Sequence, residues 1–215
     1  MKVEFIDRMG SDLSVVNAAR VSFDSASKQL TDRDNKLINY LAEHNHWTPF
    51  AHTCLTLMIE APIYVARQLG KHQVGLVWNE VSRRYVDYKP SLDKPEQWRK
   101  RADNKKQGSM AVSITAPSIA ECILEDVSFM SRKAYDDLLA LNVCPEQARM
   151  VLPQAMLTKW YWTGSLFSFS RVCSLRLKED TQMETRLVAK EISNICQSKF
   201  PVSWKALTGQ WEKAA

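Results

Sequence analysis

The stretch Arg67-Gln-Leu-Gly-Lys-His-Gln-Val-Gly-Leu-Val-Trp-Asn-Glu-Val-Ser-Arg-Arg-Tyr85 is the densest run of long polar side chains in this 215-residue chain. Arg67, Lys71, Arg83 and Arg84 supply cations. Gln68, Gln73, Asn79, Glu80 and Ser82 supply hydrogen bonds, and Trp78 and Tyr85 supply flat surfaces. A core segment does not spend so many charged and amide groups beside an apolar helix. Cations and amides suit a phosphate, and aromatic faces suit a planar ring. The same mixture also suits a surface helix and loop crossing a subunit interface, and residue types alone leave the two readings open.

Upstream, Lys2 to Ile6 alternates as a first strand, and residues 11–22 suit a short helix. Thr31-Asp-Arg-Asp34 has the form of a capping box, opening a helix to about His44 with Leu37, Ile38 and Leu41 on one face. Leu55, Leu57 and Ile59 alternate with Thr56, Met58 and Glu60 as a half-buried strand, and Pro62 suits the first turn of a helix through Leu69. Downstream, Lys89 to Met110 has two prolines, one glycine and no apolar period, and reads as an irregular insertion. Ile119, Ile123, Val127, Met130, Ala134, Leu138 and Leu141 then recur at spacings of three and four, which predicts a long amphipathic helix. A short helix at Pro145, a strand over Met156–Tyr161 and helices near 164–176 and 181–199 follow. No linker separates two cores, so the chain reads as one α+β domain over 1–215, with a basic loop insertion near 89–112.

Composition narrows the function. Hydrophobic residues make up 45% and charged residues 25%, a globular balance that excludes a disordered tail, a collagen-like rod and a coiled coil. The apolar run Ala51–Ile59 is too short to span a bilayer, and no secretion signal is visible at Met1. The five cysteines are odd in number, widely spaced and free of any C-x-x-C, as expected for reduced thiols in the cytoplasm. The net charge is +5, and residues 89–106 carry seven basic groups against three acidic ones. That segment reads first as a solvated loop and second as a patch for phosphates or polyanions.

Catalytic motifs are few. His44, His46, His52 and His72 cluster in sequence, but without the spacing of a metal site. Six glycines, with no G-x-G among them, provide neither a Rossmann fingerprint nor a P-loop, so any dinucleotide must be held by side chains. No G-x-S-x-G occurs. Cys144, before Pro145, reads as a buried or capping thiol rather than a nucleophile.

Lys71-His72-Gln73 followed by Asn79-Glu80-Val81-Ser82-Arg83-Arg84-Tyr85 resembles the signature of the flavin-dependent thymidylate synthases, the thymidylate synthase-complementing proteins. Five further pieces resemble the family in the same order. They are Ala19–Phe23, His46–His52, Ala61–Gln68, Gln147–Pro153 and Ser174–Arg176. The resemblance implies an α+β fold with a central, mostly antiparallel sheet flanked by helices. It implies a methyltransferase that moves a methylene group from methylene-tetrahydrofolate to carbon 5 of dUMP, giving dTMP, with FAD reduced by NADPH as the hydride source. It assigns Gln68, Glu80, Ser82, Arg83, Arg84, Arg149 and Arg176 to dUMP, and Ser22, Thr48, Lys71, His72 and Gln73 to the flavin. Arg176 and Ser82 become the catalytic candidates, with Ser82 a substrate ligand rather than a nucleophile because no base adjoins it. It also implies a homotetramer with shared sites.

Departures from the family pattern gather on the flavin side. Lys-His-Gln replaces Arg-His-Arg, losing both planar forks. Eight residues, not seven, separate Gln73 from Ser82, so one must bulge. Ala51 stands where the family carries an acid, and Ser165 and Phe167 where it carries Asn and Arg. Two alternatives accompany the synthase reading. One is a pyrimidine-nucleotide hydroxymethylase on the same fold. The other is a nucleic-acid-binding protein using the 89–106 segment, which has one aromatic residue and no evident stacking platform.

Overall fold

The structure is a computed structural model that describes residues 1–103 and 109–211. Its sheet has four strands in the order β1 (Lys2–Met9), β2 (Cys54–Pro62), β6 (Leu157–Ser165), β3 (Leu76–Glu80), every neighbouring pair antiparallel. β2 is central because its alternation is strict: Leu55, Leu57, Ile59 and Ala61 are buried while the residues between them are half-buried. β6 answers with Thr158, Trp160, Trp162 and Gly164 on its buried positions, and Leu57 lies opposite Trp162. The other sheet face carries Thr56, Met58, Glu60, Lys159 and Tyr161, half-buried or exposed.

Onto the apolar face pack α4 (Ile63–Leu69), α7 (Leu166–Arg176) and α8 (Met183–Lys199). Outside them lie α1 (Asp12–Arg20), α2 (Asp32–Glu43), the single turn α3 (Thr48–Ala51) and α9 (Pro201–Thr208). Phe50, Val65, Leu69, Phe169, Val188, Ile192, Phe200 and Trp204 join the strand residues in one core. The α2 N-terminus forms as its residues require: the Thr31 hydroxyl accepts the Asp34 N–H, and the Asp34 carboxylate accepts the Thr31 N–H at 3.0 Å. Pro62 closes β2 and caps α4 instead of opening its first turn.

The insertion and the long helix depart from the sequence reading. Within the expected irregular insertion, β4 (Arg99–Arg101) pairs with β5 (Ser109–Ser113), and residues 104–108 lie outside the described residues. The insertion is tied down by Arg99 to Glu184 at 2.6 Å, by the Tyr64 hydroxyl to Asp93 at 3.2 Å, and by Lys94 to Glu121 and Glu125. The long helix exists as α5 (Pro117–Ala140), yet its predicted core stripe is exposed: Ile119 62%, Ile123 59%, Val127 54% and Met130 61%. Only Ser128 and Tyr135 of this helix are buried. Among the described residues, no helix is long and apolar enough to cross a membrane.

Candidate active site

Three local arrangements carry the polar residues singled out above. The first sits where α4 ends, α7 ends and the chain turns toward β3. Arg176, in the last turn of α7, donates from Nε to His72 Nε2 at 2.8 Å and from a terminal nitrogen to the Gln68 carbonyl at 3.4 Å. Its Nη1 has no partner among the described residues. Burial and the nearby Arg176 and Arg171 guanidiniums hold the His72 imidazole below its ordinary pKa, so the ring is neutral at pH 7. Burial also lowers the Arg176 pKa, though the guanidinium stays charged at any pH of interest. The Gln68 side-chain carbonyl is buried without a hydrogen-bond partner, an acceptor left for a donor from outside the chain. Lys71 and Gln73 flank this cluster and are exposed.

The second arrangement lies at the far end of β3. The Glu80 carboxylate accepts the Thr158 hydroxyl at 2.5 Å and the Trp78 indole N–H at 3.2 Å, while Trp78 stacks on Trp160 at 4.3 Å. The Ser82 hydroxyl accepts from Arg84 Nε at 2.9 Å, and Arg84 lies over Tyr85. Arg83 turns inward: it is 6% exposed, donates to the Tyr88 carbonyl and lies 4.3 Å over the Tyr88 ring. Beside it opens a cavity of about 320 Å³ lined by Glu60, Val81, Tyr88 and Thr158.

A third group gathers around Ser22 and Thr48, which line a cavity of about 1020 Å³ with Arg33, Lys36, Phe23 and Tyr40. Hydroxyls, the cations Arg20, Arg33 and Lys36, and aromatic faces together fit a phosphate-bearing planar cofactor. Of the residues expected at the flavin, Ser22 and Thr48 share this space, whereas Lys71, His72 and Gln73 lie with Arg176. Arg149 stands apart, in the 3₁₀ turn after α6 (Pro145–Ala148), donating to the Glu146 carbonyl at 3.1 Å.

The residues expected at dUMP are therefore not joined within one chain. Leu76 pairs with Gly164 and Glu80 with Trp160, so the length of β3 separates Gln68, His72 and Arg176 from Glu80, Ser82 and Arg84. Sequence reasoning missed Thr158, which fixes Glu80 from the neighbouring strand, and Arg171, an exposed cation acting on His72. Only the pairing of β3 with β6 reveals the first. The second was visible as a lone cation in the apolar run Phe167–Cys173. Of the clustered histidines, His44 places its Nδ1 2.9 Å from the Tyr40 carbonyl and stacks its ring on Tyr40. Two of the basic side chains in 89–106, Lys94 and Arg99, are spent on carboxylates, which weakens that segment as a polyanion patch.

Residues 4–202 match the family described as thymidylate synthase complementing protein. The flavin-dependent thymidylate synthase of Thermus thermophilus is 37% identical over 204 residues, covering 95% of this chain and 74% of that one. That of Thermosipho africanus is 36% identical over 209 residues, covering 95% and 89%. The crystal structure of a UMP/dUMP methylase, PolB from Streptomyces cacaoi bound with 5-Br dUMP, superposes with a TM-score of 0.88 at 27% identity, covering 97% of this chain and 94% of that one. The chain belongs to the thymidylate synthase complementing protein family, the flavin-dependent thymidylate synthases.

Proposed function

We propose that this protein methylates dUMP to dTMP, taking the carbon from methylene-tetrahydrofolate. The observation that carries the reading is Arg176. Two of its nitrogens are committed to His72 and Gln68, and Nη1 is left to meet a ligand. A fixed guanidinium is suited to polarising a uracil carbonyl, which draws electron density from the ring and makes carbon 6 a better hydride acceptor. The unpartnered Gln68 amide oxygen beside it accepts a donor such as the uracil N–H. Arg84 and Ser82 offer donors for a phosphate, and Arg149 adds a further exposed cation.

FAD supplies hydride chemistry when bound, with NADPH as its reductant, and the hydroxyls and cations around Ser22 and Thr48 would hold its phosphates. Cys173 and Cys196 are buried with their pKa values pushed up by desolvation, and Cys144 stands exposed at the N-terminus of α6 without a side-chain capping hydrogen bond. The free cysteines fit a cytoplasmic protein.

The same reading includes a homotetramer with active sites shared between subunits. Two features support it: the exposed apolar stripe of α5, which a second surface would cover, and the division of the dUMP residues between the two ends of β3. The whole chain then acts as one catalytic domain, with 89–112 as an insertion on it.

The test is turnover of dUMP, with UMP in parallel, in the presence of methylene-tetrahydrofolate, FAD and NADPH, the product identified by mass. Methylated dUMP supports the synthase. Hydroxymethyl-dUMP moves the protein to the hydroxymethylase reading. Colourless protein that binds nucleic acid and leaves dUMP unchanged overturns both.

A further inference from the structure

We infer that His72 positions Arg176, acting as a neutral hydrogen-bond acceptor that holds the guanidinium ready for the pyrimidine and releases it when the imidazole takes up a proton. The inference rests on the function proposed above and gives His72 a role beyond the flavin contact that resemblance implies.

An arginine carries five N–H donors and no acceptor. The 2.8 Å contact from Arg176 Nε therefore requires a lone pair on His72 Nε2, which puts the single imidazole proton on Nδ1. A protonated ring has no lone pair, so the contact becomes two cations face to face. The charged groups acting on the ring are Arg176 and Arg171, both on α7, and no carboxylate acts on it among the described residues. Burial and both cations disfavour the imidazolium, so the acceptor state is the resting one at neutral pH.

Position makes this contact matter. Arg176 is the last residue of α7, where the helix no longer fixes its side chain on both sides. A long arginine otherwise samples many rotamers, and each fixed rotamer costs entropy on binding. His72 on one side and the Gln68 carbonyl on the other reduce that freedom before any ligand arrives. The segment bearing His72 is itself anchored, since its backbone N–H donates to the Leu69 carbonyl at 2.9 Å. Geometry of this kind is how a residue that need not touch the reacting atoms controls one that does.

The sign of the pH dependence follows. The neutral form is favoured in the folded protein, so the contact is complete above the ordinary histidine value of about 6.5. It is lost as pH falls through the lower value of His72 in the native state. Nucleotide phosphate also titrates near pH 6, so native protein alone does not isolate the imidazole.

The experiment compares native protein, His72→Gln and His72→Ala by dUMP affinity and turnover between pH 5 and pH 8, with the fold checked by circular dichroism. Glutamine keeps a carbonyl acceptor that does not titrate in this range. At pH 8 we expect His72→Ala to lose about tenfold or more in dUMP affinity. His72→Gln should keep most of that affinity, and its affinity should fall less than that of native protein on going to pH 5. The imidazole resonance of His72 should also titrate at higher pH in Arg176→Ala than in native protein. Equal pH dependence in native protein and His72→Gln, or full affinity in His72→Ala, overturns the inference while leaving the synthase reading intact. Native protein that does not bind dUMP at pH 8 overturns both.

Discussion

A methyl group placed on Gly75 meets two obstacles. The residue has φ = +71°, a backbone region that costs an L-residue about 1–2 kcal/mol. The new Cβ would also fall well inside contact distance of the Ser168 hydroxyl. That hydroxyl is not free to leave, because it pairs with the Ser165 hydroxyl at 2.9 Å at the start of α7. Expelling it forfeits a partly buried hydrogen bond worth about 0.5–1.5 kcal/mol. Removing a glycine returns about 0.4–1 kcal/mol by restricting the unfolded chain. Gly75→Ala should therefore destabilise the protein by about 2 kcal/mol, equivalent to about 4–8 °C in Tm for a chain of this size. Ser168→Ala alone should cost about 1 kcal/mol, the hydroxyl pair. In the double variant that pair is already gone and the obstruction is relieved, so the double should be no less stable than Gly75→Ala. Calorimetry of the three variants at one protein concentration completes the cycle. Additive losses, within the ~0.3–0.5 kcal/mol typical of independent sites, would show that Ser168 does not oppose the substitution. An unchanged Tm in Gly75→Ala would refute the backbone argument as well.

Other expectations follow from single contacts. The Asp12 carboxylate accepts the N–H groups of Val202 at 3.0 Å and Ser203 at 2.9 Å, capping α9 from a position 190 residues earlier. Asp12→Ala should cost about 2–3 kcal/mol in urea unfolding and Asp12→Asn visibly less; equal midpoints for native protein and Asp12→Ala would exclude the cap. The Asp34 carboxyl is held below its ordinary pKa of 3.8 by Thr31 first, then Ser27 and Arg20. Its stabilisation is present above that value and lost as pH falls through the lower native one, so the Tm gap between native protein and Asp34→Asn should narrow in acid and not at pH 7. Where Lys71 and Gln73 add to the groups around Ser22 and Thr48 in holding FAD, Lys71→Arg with Gln73→Arg should tighten it and steepen the loss of affinity with salt, because planar forks replace a point charge and an amide; titration showing unchanged affinity would mean that the groups around Ser22 and Thr48 hold the phosphates without them.

Where the sequence was legible, a local rule coincided with the tertiary answer. Thr31 and Asp34 form the capping box that their spacing predicts, and Leu55, Leu57 and Ile59 are buried as period two requires. α5 shows the limit of periodicity. The spacing of Ile119, Ile123, Val127 and Met130 makes a helix with an apolar side, but it carries no information on whether the same chain covers that side. β3 went unread because its residues are those of the polar signature. Five residues with only Leu76 and Trp78 half-buried carry too little alternation, and pairing with β6 decides the matter. β4 was hidden by its own charges, since Arg99–Arg101 reads as a solvated run until Glu184 is seen to take one of them. α9 is eight residues long and capped from α1, a signal no local window holds. At the site, residue identity was legible and grouping was not. Nothing in spacing tells that His72 meets Arg176 across 104 positions while Ser82, ten residues away, does not.

That separation bears on how such a site is completed. Four residue steps of β3 at about 3.4 Å each place roughly 14 Å between the Leu76 and Glu80 ends of the strand. Gln68, His72 and Arg176 hold the groups suited to a pyrimidine ring, while Ser82 and Arg84 hold those suited to a phosphate. Neither set is short of internal support: Arg176 is clamped twice, and the Ser82 hydroxyl already accepts from Arg84. Each end is thus pre-organised without the other, which a site assembled between copies requires, because each half must hold its shape before the partner arrives. Under the proposed assembly, weakening the α5 contact separates stability from activity. Ile123→Glu would leave the chain folded, since that side chain is 59% exposed and carries no core contact, yet turnover would become dependent on protein concentration. A variant active at every dilution would place the complete site within one chain and would overturn the shared arrangement.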